Sequence, residues 1–404
     1  MISGVLNNST ALTGSSKLAT NPSYKAISNL IAKQLSDQSS HQELTSALVK
    51  AIEFKQKSAS AGLAAIDVAA KLKQAILDND KINPEFKGLK DKLLTILIGI
   101  YRKLEAEPIL HKAMNNHKAL QAFDKQQAWR LMTDHSQQEL RGEYGFEDEA
   151  GYLAAMFYGF SHMLSTVEQP LDTTLLEKLQ SKAVAGVLPV GKTMQEQLIQ
   201  EQYGLPEITL PTGYQDQQAV TKSLMAGDPL IDKQVNASET GLIELIKGYQ
   251  LEPWFEVLGV ILKDGSLSYE DAQQINLQIK PRTAAQCTEL TADILTDYNQ
   301  AQSFSRTEND KLAAIARCCQ ELARAKPFID GNIRTIGVLV ANKLLLQQQL
   351  TPVIMPNPHR FTAFSAKELL SEMKFGQSLF ENYTLTQFKP VSESEGIPSY
   401  AKFI

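Results

Sequence analysis

The sequence predicts a mainly α-helical protein in which an irregular stretch separates two helical regions. Most of the chain has apolar residues at the 3.6-residue spacing of an amphipathic helix, while one short segment alternates as a strand does. Four prolines and several glycines interrupt this periodicity between residues 184 and 240. We therefore expect a flexible segment over 1–23, an N-terminal helical domain over 24–183, a linker over 184–240, a second domain over 241–390 and a tail over 391–404.

Composition narrows the functional classes. The 404 residues are 43% hydrophobic and 21% charged, and the net charge is -5, which argues against a nucleic-acid-binding protein. The three cysteines, two of them adjacent, fit neither a disulfide framework nor a zinc site, so we expect buried, reduced thiols. No run of apolar residues approaches the ~18 that a membrane span needs, so no span is expected.

The chain's two ends bear on localisation. The first 23 residues lack a basic segment leading into an apolar one, so we expect a cytoplasmic protein. The acidic cluster SESEG in the tail reads either as a solvated segment or as a secretion signal rich in polar residues. The second reading predicts a bacterial effector delivered into a host cell by a route that needs no signal peptide.

The N-terminal region is predicted to hold several amphipathic helices. One contains Ile27, Leu30, Ile31 and Leu35 on one face. Another, LKDKLLTILIGIYRKLEAEP, is expected to end before Pro108. The segment EDEAGYLAAMFYGFSHML predicts a helix with acidic residues in its first turn, and its histidine is expected to be a core or half-buried side chain.

The second region is also predicted to be helical, apart from one strand. Helices are expected over GLIELIKGYQLEPWFEVLGVIL, AAQCTELTADILTDYNQ, NDKLAAIARCCQELARA and SAKELLSEMKFGQSLFENY. In INLQIKPR, Ile275, Leu277 and Ile279 alternate with polar residues up to Lys280, and Pro281 ends the strand. We expect its pairing arm near DGSLSYED, which would leave an edge open to a partner chain.

The segment KPFIDGNIRT, residues 326–335, looks suited to holding an anion. Gly331 lets the backbone approach a ligand closely and adopt unusual dihedral angles without penalty, and Asn332 can donate from its amide and cap the helix that follows. That helix carries an apolar stripe of Ile336, Val340 and Leu344, so its positive N-terminal end would be held at a fixed point.

Two charged residues extend this chemistry. Arg334, in the first helical turn, offers a guanidinium fork for phosphate oxygens. Asp330 is a hard oxygen ligand suited to Mg²⁺ beside a phosphate, and Phe328 would anchor the loop. The segment therefore predicts a site for Mg²⁺ and a phosphate-containing ligand, with Gly331, Asn332, Ile333 and Arg334 around the phosphates.

These residues resemble the signature of the Fic (Fido) family, H-x-F-x-[DE]-[GA]-N-[GK]-R-x-x-R. The matching residues are Pro327, Phe328, Asp330, Gly331, Asn332 and Arg334. The resemblance covers roughly residues 251–388 and implies a Fic-like helical core with a small β-hairpin flap, beside the N-terminal helical domain. Such proteins typically transfer AMP from ATP to a hydroxyl of a target protein. Relatives transfer UMP, phosphocholine or phosphate.

The resemblance also implies roles for individual residues. Asp330 would bind Mg²⁺, the Gly331–Asn332 turn would form the anion hole, and Arg334 would contact phosphate of ATP or another diphosphate donor. The flap near Ile275–Lys280 would dock the target protein by strand addition. The family's inhibitory motif, [ST]-x-x-x-E-[GN], does not occur in the sequence, so no built-in inhibitory glutamate is expected.

Three positions depart from the signature. Lys326 stands where the family has its catalytic histidine, Ile333 replaces Gly or Lys, and Gly337 replaces the second arginine. A lysine of ordinary pKa is protonated at neutral pH and cannot take a proton from an attacking hydroxyl, and loss of a general base typically costs ~10²–10⁴ in rate. Ordinary AMP transfer is therefore expected to be weak or absent.

Three hypotheses follow. The chain is a transferase of altered chemistry in which Lys326, Asp330 and Asn332 are catalytic, a catalytically dead nucleotide-binding module, or an interaction protein that keeps the core as a scaffold. A second phosphate motif, GVLPVGKT at residues 186–193, satisfies the P-loop pattern, but a helix-like segment precedes it and no strand–helix alternation follows. We therefore interpret that motif as an interhelical loop.

Overall fold

A computed structural model describes residues 87–141, 143–146, 149–189, 209–223, 238–251, 255–258 and 276–384, and these residues are mainly helical. The predicted first helix after residue 23, the arm at DGSLSYED, the tail and the second half of the P-loop-like motif, residues 190–193, lie outside the described residues.

The α-helices are numbered in chain order, and three short strands interrupt them. The α-helices are α1 (Lys87–Asn115), α2 (His135–Arg141), α3 (Tyr152–Ser165), α4 (Thr173–Val184), α5 (Glu239–Leu251), α6 (Ala284–Phe304), α7 (Glu308–Ala325), α8 (Ala341–Gln347), α9 (Arg360–Ala363) and α10 (Ala366–Asn382). The strands are β1 (Val220–Ser223), β2 (Phe255–Leu258) and β3 (Asn276–Ile279). Three 3₁₀ segments lie at Lys118–Leu120, Lys125–Met132 and Glu143–Phe146, and a π-helix at Arg334–Val340.

Contacts group the described residues into two units. Unit 1 takes those within 87–113, 137–161 and 182–210, and unit 2 those within 114–136, 162–181 and 211–384. Both units draw on segments from either side of residue 184, whereas the predicted domains were continuous along the chain. The domain boundaries therefore stay a prediction.

Unit 1 is held by a small apolar cluster and by backbone bonds between its segments. Ala155, Val184, Val187 and Leu210 are buried together. Leu188 N donates to Ala150 O at 3.0 Å, and Leu210 N to Val187 O at 3.0 Å. The segment at 186–189 therefore follows a helix, as expected, and not a strand.

Helix α7 lies at the centre of unit 2. It contacts α6, α8, α9, α10 and the π-helix. Its buried residues recur at helical spacing, among them Leu312, Ile315, Cys319, Leu322 and Ala323. Its first turn has a capping box, in which Thr307 and Asp310 satisfy each other's backbone N–H groups. This helix ends directly at the predicted phosphate motif and fixes its position.

The three strands form one antiparallel sheet in the order β1-β3-β2. Strand β3 lies where the alternation predicted a strand, and Leu277 faces Lys222 on one side and Val257 on the other. The expectation that this strand leaves an open edge is wrong, because β3 pairs along both edges. The outer strands of the sheet are β1 and β2.

Three further expectations need correction. Helix α1 continues through Pro108 to Asn115, because packing of buried Leu104 and Leu110 holds the helix on either side of the exposed proline. The helix predicted over 241–262 ends at Leu251, and the β-favouring residues Phe255 and Val257 pair with β3 instead. The predicted linker contains an ordered strand, β1.

Several expectations are confirmed. Helices α3, α6, α7 and α10 lie where periodicity placed them, although no acidic residue falls in the first turn of α3. Helix α4 is the helix-like segment expected before the P-loop-like motif. All three cysteines, Cys287, Cys318 and Cys319, are buried and free. His162 is half-buried. Among the described helices, none combines the length and the apolar character that crossing a membrane requires.

Candidate functional site

The loop between α7 and the next helix, residues 326–332, contains two left-handed backbone positions. Lys326 ends α7 with φ 47° and ψ 64°, and its N–H donates to Leu322 O at 3.1 Å. Gly331 has φ 73°. Left-handed geometry is open to glycine but costs other residues about 1 kcal/mol or more, so Gly331 fits its position and Lys326 is strained in its own.

Asn332 fastens this loop internally. Its Oδ1 accepts from Phe328 N at 3.0 Å, and its Nδ2 donates to Phe328 O at 2.7 Å. The amide thus closes a ring around residues 328–332. The sequence predicted an amide aimed at a ligand, whereas the structure uses one of its two N–H groups to shape the loop.

Asp330 also makes an internal bond. Its Oδ1 accepts from Gly331 N at 2.6 Å. The helical ladder begins only at Thr335, whose N–H donates to Gly331 O at 3.0 Å, so the N–H groups of residues 332–334 precede the first ladder bond. An anion at this helix end would therefore meet residues 332–334 first, and it would compete with Asp330 for Gly331 N.

The loop is tied to α4 by a residue that the sequence did not single out. Gln180 is fully buried, and its Nε2 donates to Asp330 O at 3.1 Å and to Pro211 O at 3.0 Å. Its Oε1 accepts from Gly213 N at 2.8 Å. One glutamine therefore links three segments, and no local pattern marks it, because its partners lie 31 to 150 residues away.

Two more residues hold the head of the loop. Gln217 Nε2 donates to Lys326 O at 2.9 Å, and Arg282 NH2 donates to the same oxygen at 3.1 Å. Arg282 is only 2% exposed. The signal that could have found Arg282 is its place just after the strand and Pro281, where a buried guanidinium needs a dedicated acceptor.

Phe328 anchors the loop, as predicted. Its side chain is 2% exposed, and its ring lies 4.9 Å from that of Tyr214. Tyr214 Oη donates to Thr173 O at 3.3 Å, and burial raises the pKa of its phenol well above the usual value. The contact between the Phe328 and Tyr214 rings holds the buried side of the loop, while the neighbouring residue Ile329 is 51% exposed.

The helix after the loop begins as a π-helix, which the sequence did not predict. Arg334 is half-buried at its first position, and Ile333 just before it is half-buried too. Gly337 is buried, and a Cβ there would lie 2.7 Å from Pro358 Cβ. A second arginine therefore has no room at Gly337, where this helix packs against Pro358 and Phe361.

The metal prediction rests on one residue. No group of three or more His, Cys, Asp or Glu side chains suited to a metal occurs in the part of the chain that the structure describes. Mg²⁺ is commonly held by one or two carboxylates together with substrate phosphates and water. Half-buried Asp330 fits that pattern and is the carboxylate of the loop that would hold it.

A second polar region of unit 2 lies around the N-terminus of α4. A cavity of about 490 Å³ is lined by His162, Asp172, Lys178 and five other residues. None of the predicted site residues lines this cavity. Asp172 caps α4, because its Oδ1 accepts from Leu175 N at 2.7 Å.

The comparisons with known proteins add no family. The sequence matches no protein-family model, and it matches none of the curated proteins with which it was compared. The resemblance to the Fic signature therefore rests on the residues of the motif alone.

Proposed function

We propose that the chain is a Fic-like transferase of altered chemistry. It would bind a phosphate-containing donor, such as ATP or another nucleotide diphosphate compound, at the loop formed by residues 326–334. It would transfer a nucleotidyl or other phosphate-containing group to a hydroxyl of a target protein. The observation that carries this proposal is a loop with left-handed Gly331, fixed from several sides, that opens into the N-terminus of a buried helix.

The loop's own residues supply the chemistry of binding. The backbone N–H groups at 332–334 would face the phosphates, Arg334 would add a cation, and Asp330 would hold Mg²⁺. The metal ion would supply positive charge against the phosphate oxygens. Asn332 would act by shaping the loop through Phe328, which is why its removal would weaken binding without removing a direct contact.

The conformation of Lys326 supports a role for its side chain. Glycine is the usual residue where a helix ends in left-handed geometry, yet this chain has a lysine there, at a cost in stability. Strain of this kind is often found at functional positions. We propose that the ammonium group stabilises charge developing on the transferred group, and that the hydroxyl proton passes to solvent rather than to an imidazole.

Labelled donors test the transfer. Incubation of the protein with labelled ATP, UTP or CDP-choline and host or bacterial lysate should label a protein with one donor. Asp330→Ala should abolish the label, and Lys326→Ala should reduce it at least tenfold. Asp293→Ala, on the exposed face of α6, is a matched carboxylate control that should leave labelling unchanged. If the Asp330→Ala variant labels as well as the wild type, the proposed role of this loop is wrong.

Two observations favour the alternative, a catalytically dead binding module. The Gly331 N–H is already engaged by the Asp330 carboxylate, and Lys326 replaces the residue that would take up a proton. In that case a nucleotide would bind and no donor would label any protein. Lys326→His separates the two readings, since gain of AMP transfer would show that only the proton acceptor is missing.

A further inference from the structure

Gln217 and Arg282 form a paired unit, which we call the clasp. Their backbones exchange two hydrogen bonds, Gln217 N to Arg282 O at 2.7 Å and Arg282 N to Gln217 O at 3.1 Å. Their side chains also bond, since Arg282 NH2 donates to Gln217 Oε1 at 2.7 Å. The two side chains then converge on one acceptor, the carbonyl oxygen of Lys326.

The carbonyl of Lys326 lies where α7 ends and the loop of the candidate site begins. Lys326 ends α7 in left-handed geometry, and its carbonyl belongs to the peptide that leads into Pro327. Two donors, one of them charged, fix the orientation of this peptide and thus the direction in which the Lys326 side chain leaves the backbone. A cation at the C-terminal end of a helix is also electrostatically favourable.

The clasp is joined to the sheet on both sides. Gln217 precedes β1 by three residues, and Arg282 follows β3 by three residues. Because β1 and β3 pair throughout, from Val220 opposite Ile279 to Ser223 opposite Asn276, the clasp continues the same antiparallel ladder. A shift of either strand would therefore move the donors that hold Lys326.

We infer that Gln217 and Arg282 are positioning residues that set the geometry of Lys326 and couple it to the three-stranded sheet. For the transfer reaction this inference rests on the proposed function. The coupling of Lys326 to the sheet does not depend on the proposed function, because its hydrogen bonds all lie within this chain. A target segment bound at the sheet would then act on the same peptide that orients Lys326.

The test measures Lys326 directly, without a ligand. Gln217→Met removes both side-chain bonds of the glutamine and keeps its length, and Arg282→Lys keeps the charge but not the fork. Gln377→Met is the matched control, since Gln377 is also half-buried and its Nε2 donates to a backbone carbonyl, Thr351 O, at 2.8 Å. Acetylation of Lys326 is followed by peptide mass spectrometry, and amide exchange is followed over residues 328–333.

We expect Gln217→Met to change the Lys326 acetylation rate at least threefold and to speed amide exchange at 328–333 about tenfold. Arg282→Lys should give a smaller change of the same kind, and Gln377→Met should give none. Unchanged acetylation and exchange in both clasp variants would overturn the inference. Binding of Mg-ATP, Mg-UTP and Mg-CDP-choline is measured in parallel. A wild-type protein that binds none of the three would contradict the proposed function, while the acetylation result would still decide the role of the clasp.

Discussion

At the scale of single residues, Lys326 is the residue on which the proposed function depends most. Among the described residues, Lys326 and Gln349 are the two non-glycine residues with positive φ, at 47° and 58°. Gln349 lies in an exposed turn after α8, whereas Lys326 lies at the head of the candidate site. The same backbone strain therefore occurs in an exposed turn, at Gln349, and in the candidate site, at Lys326, where the side chain could take part in the reaction.

This difference gives a paired prediction. Lys326→Gly and Gln349→Gly should each raise the free energy of unfolding by about 0.5 to 1 kcal/mol, because glycine adopts left-handed geometry without steric cost but loses more chain entropy on folding. Urea denaturation measures both changes. Only Lys326→Gly should reduce donor labelling. Equal labelling by the two variants would show that the lysine side chain has no part in the reaction.

The sequence predicted some of these residues well and others only in part. Gly331 was recognised for its backbone freedom, which φ 73° confirms, and Phe328 for its anchoring, which its burial confirms. The amide of Asn332 was expected to face a ligand, but it bonds Phe328 on both backbone groups. Sequence shows that an amide can donate, but the acceptor depends on the loop's closed shape, which no residue type specifies.

At the scale of elements, Lys343 joins two helices of the core. It is fully buried in α8, and its Nζ donates to Thr166 O at 2.5 Å and Val167 O at 3.2 Å, just after the last residue of α3. A cation there satisfies carbonyls at a helix C-terminus and interacts favourably with its dipole. Burial lowers the pKa of Lys343 to about 8, while Glu168 and Asp172 oppose that shift.

Lys343 therefore predicts a pH dependence of stability. In the unfolded chain its pKa is about 10.5, so between pH 8 and 10.5 the unfolded state binds more protons than the folded state. The free energy of unfolding should then rise with pH in this window, by at most about 1 kcal/mol per pH unit. Lys343→Met should lose this rise.

Urea titrations of wild type and Lys343→Met at pH 7.5 and 9.5 measure the effect. The wild type should gain stability over the variant at the higher pH. Lys182→Met, at the exposed last turn of α4, controls for loss of a surface lysine and should show no such gain. The free energy of unfolding of the wild type minus that of Lys343→Met should increase with pH. A difference that stays constant or decreases would contradict the assignment of Lys343.

Helices and strands were predicted best where residues close in sequence determine the secondary structure. The helices α7 and α10 follow from apolar spacing, and both begin with capping boxes, at Thr307–Asp310 and Ser365–Glu368. Strand β2 was missed because its pairing with β3 depends on a partner about 20 residues away. The π-helix was missed because nothing in RTIGVLV distinguishes it from an α-helix, and its geometry follows from packing.

At the scale of the whole molecule, the candidate site is assembled from distant parts of unit 2. Residues from α4, from the segment before β1 and from the segment after β3 all bond the loop at 326–332. Sequence located the loop, because its residues are contiguous and resemble a known signature. It could not locate Gln180, Gln217 or Arg282, because their partners are set by tertiary contacts alone.

The central claim is that the loop at 326–334 binds a phosphate-containing ligand with Mg²⁺. Titration calorimetry of Mg-ATP, Mg-UTP and Mg-CDP-choline against the wild type, Arg334→Ala and Arg306→Ala tests it most directly, because Arg306 is an exposed arginine outside the loop. We predict that one ligand binds the wild type and Arg306→Ala equally, and that Arg334→Ala weakens its affinity at least tenfold. Equal affinity in all three proteins, or binding of none of the three ligands to the wild type, would contradict it.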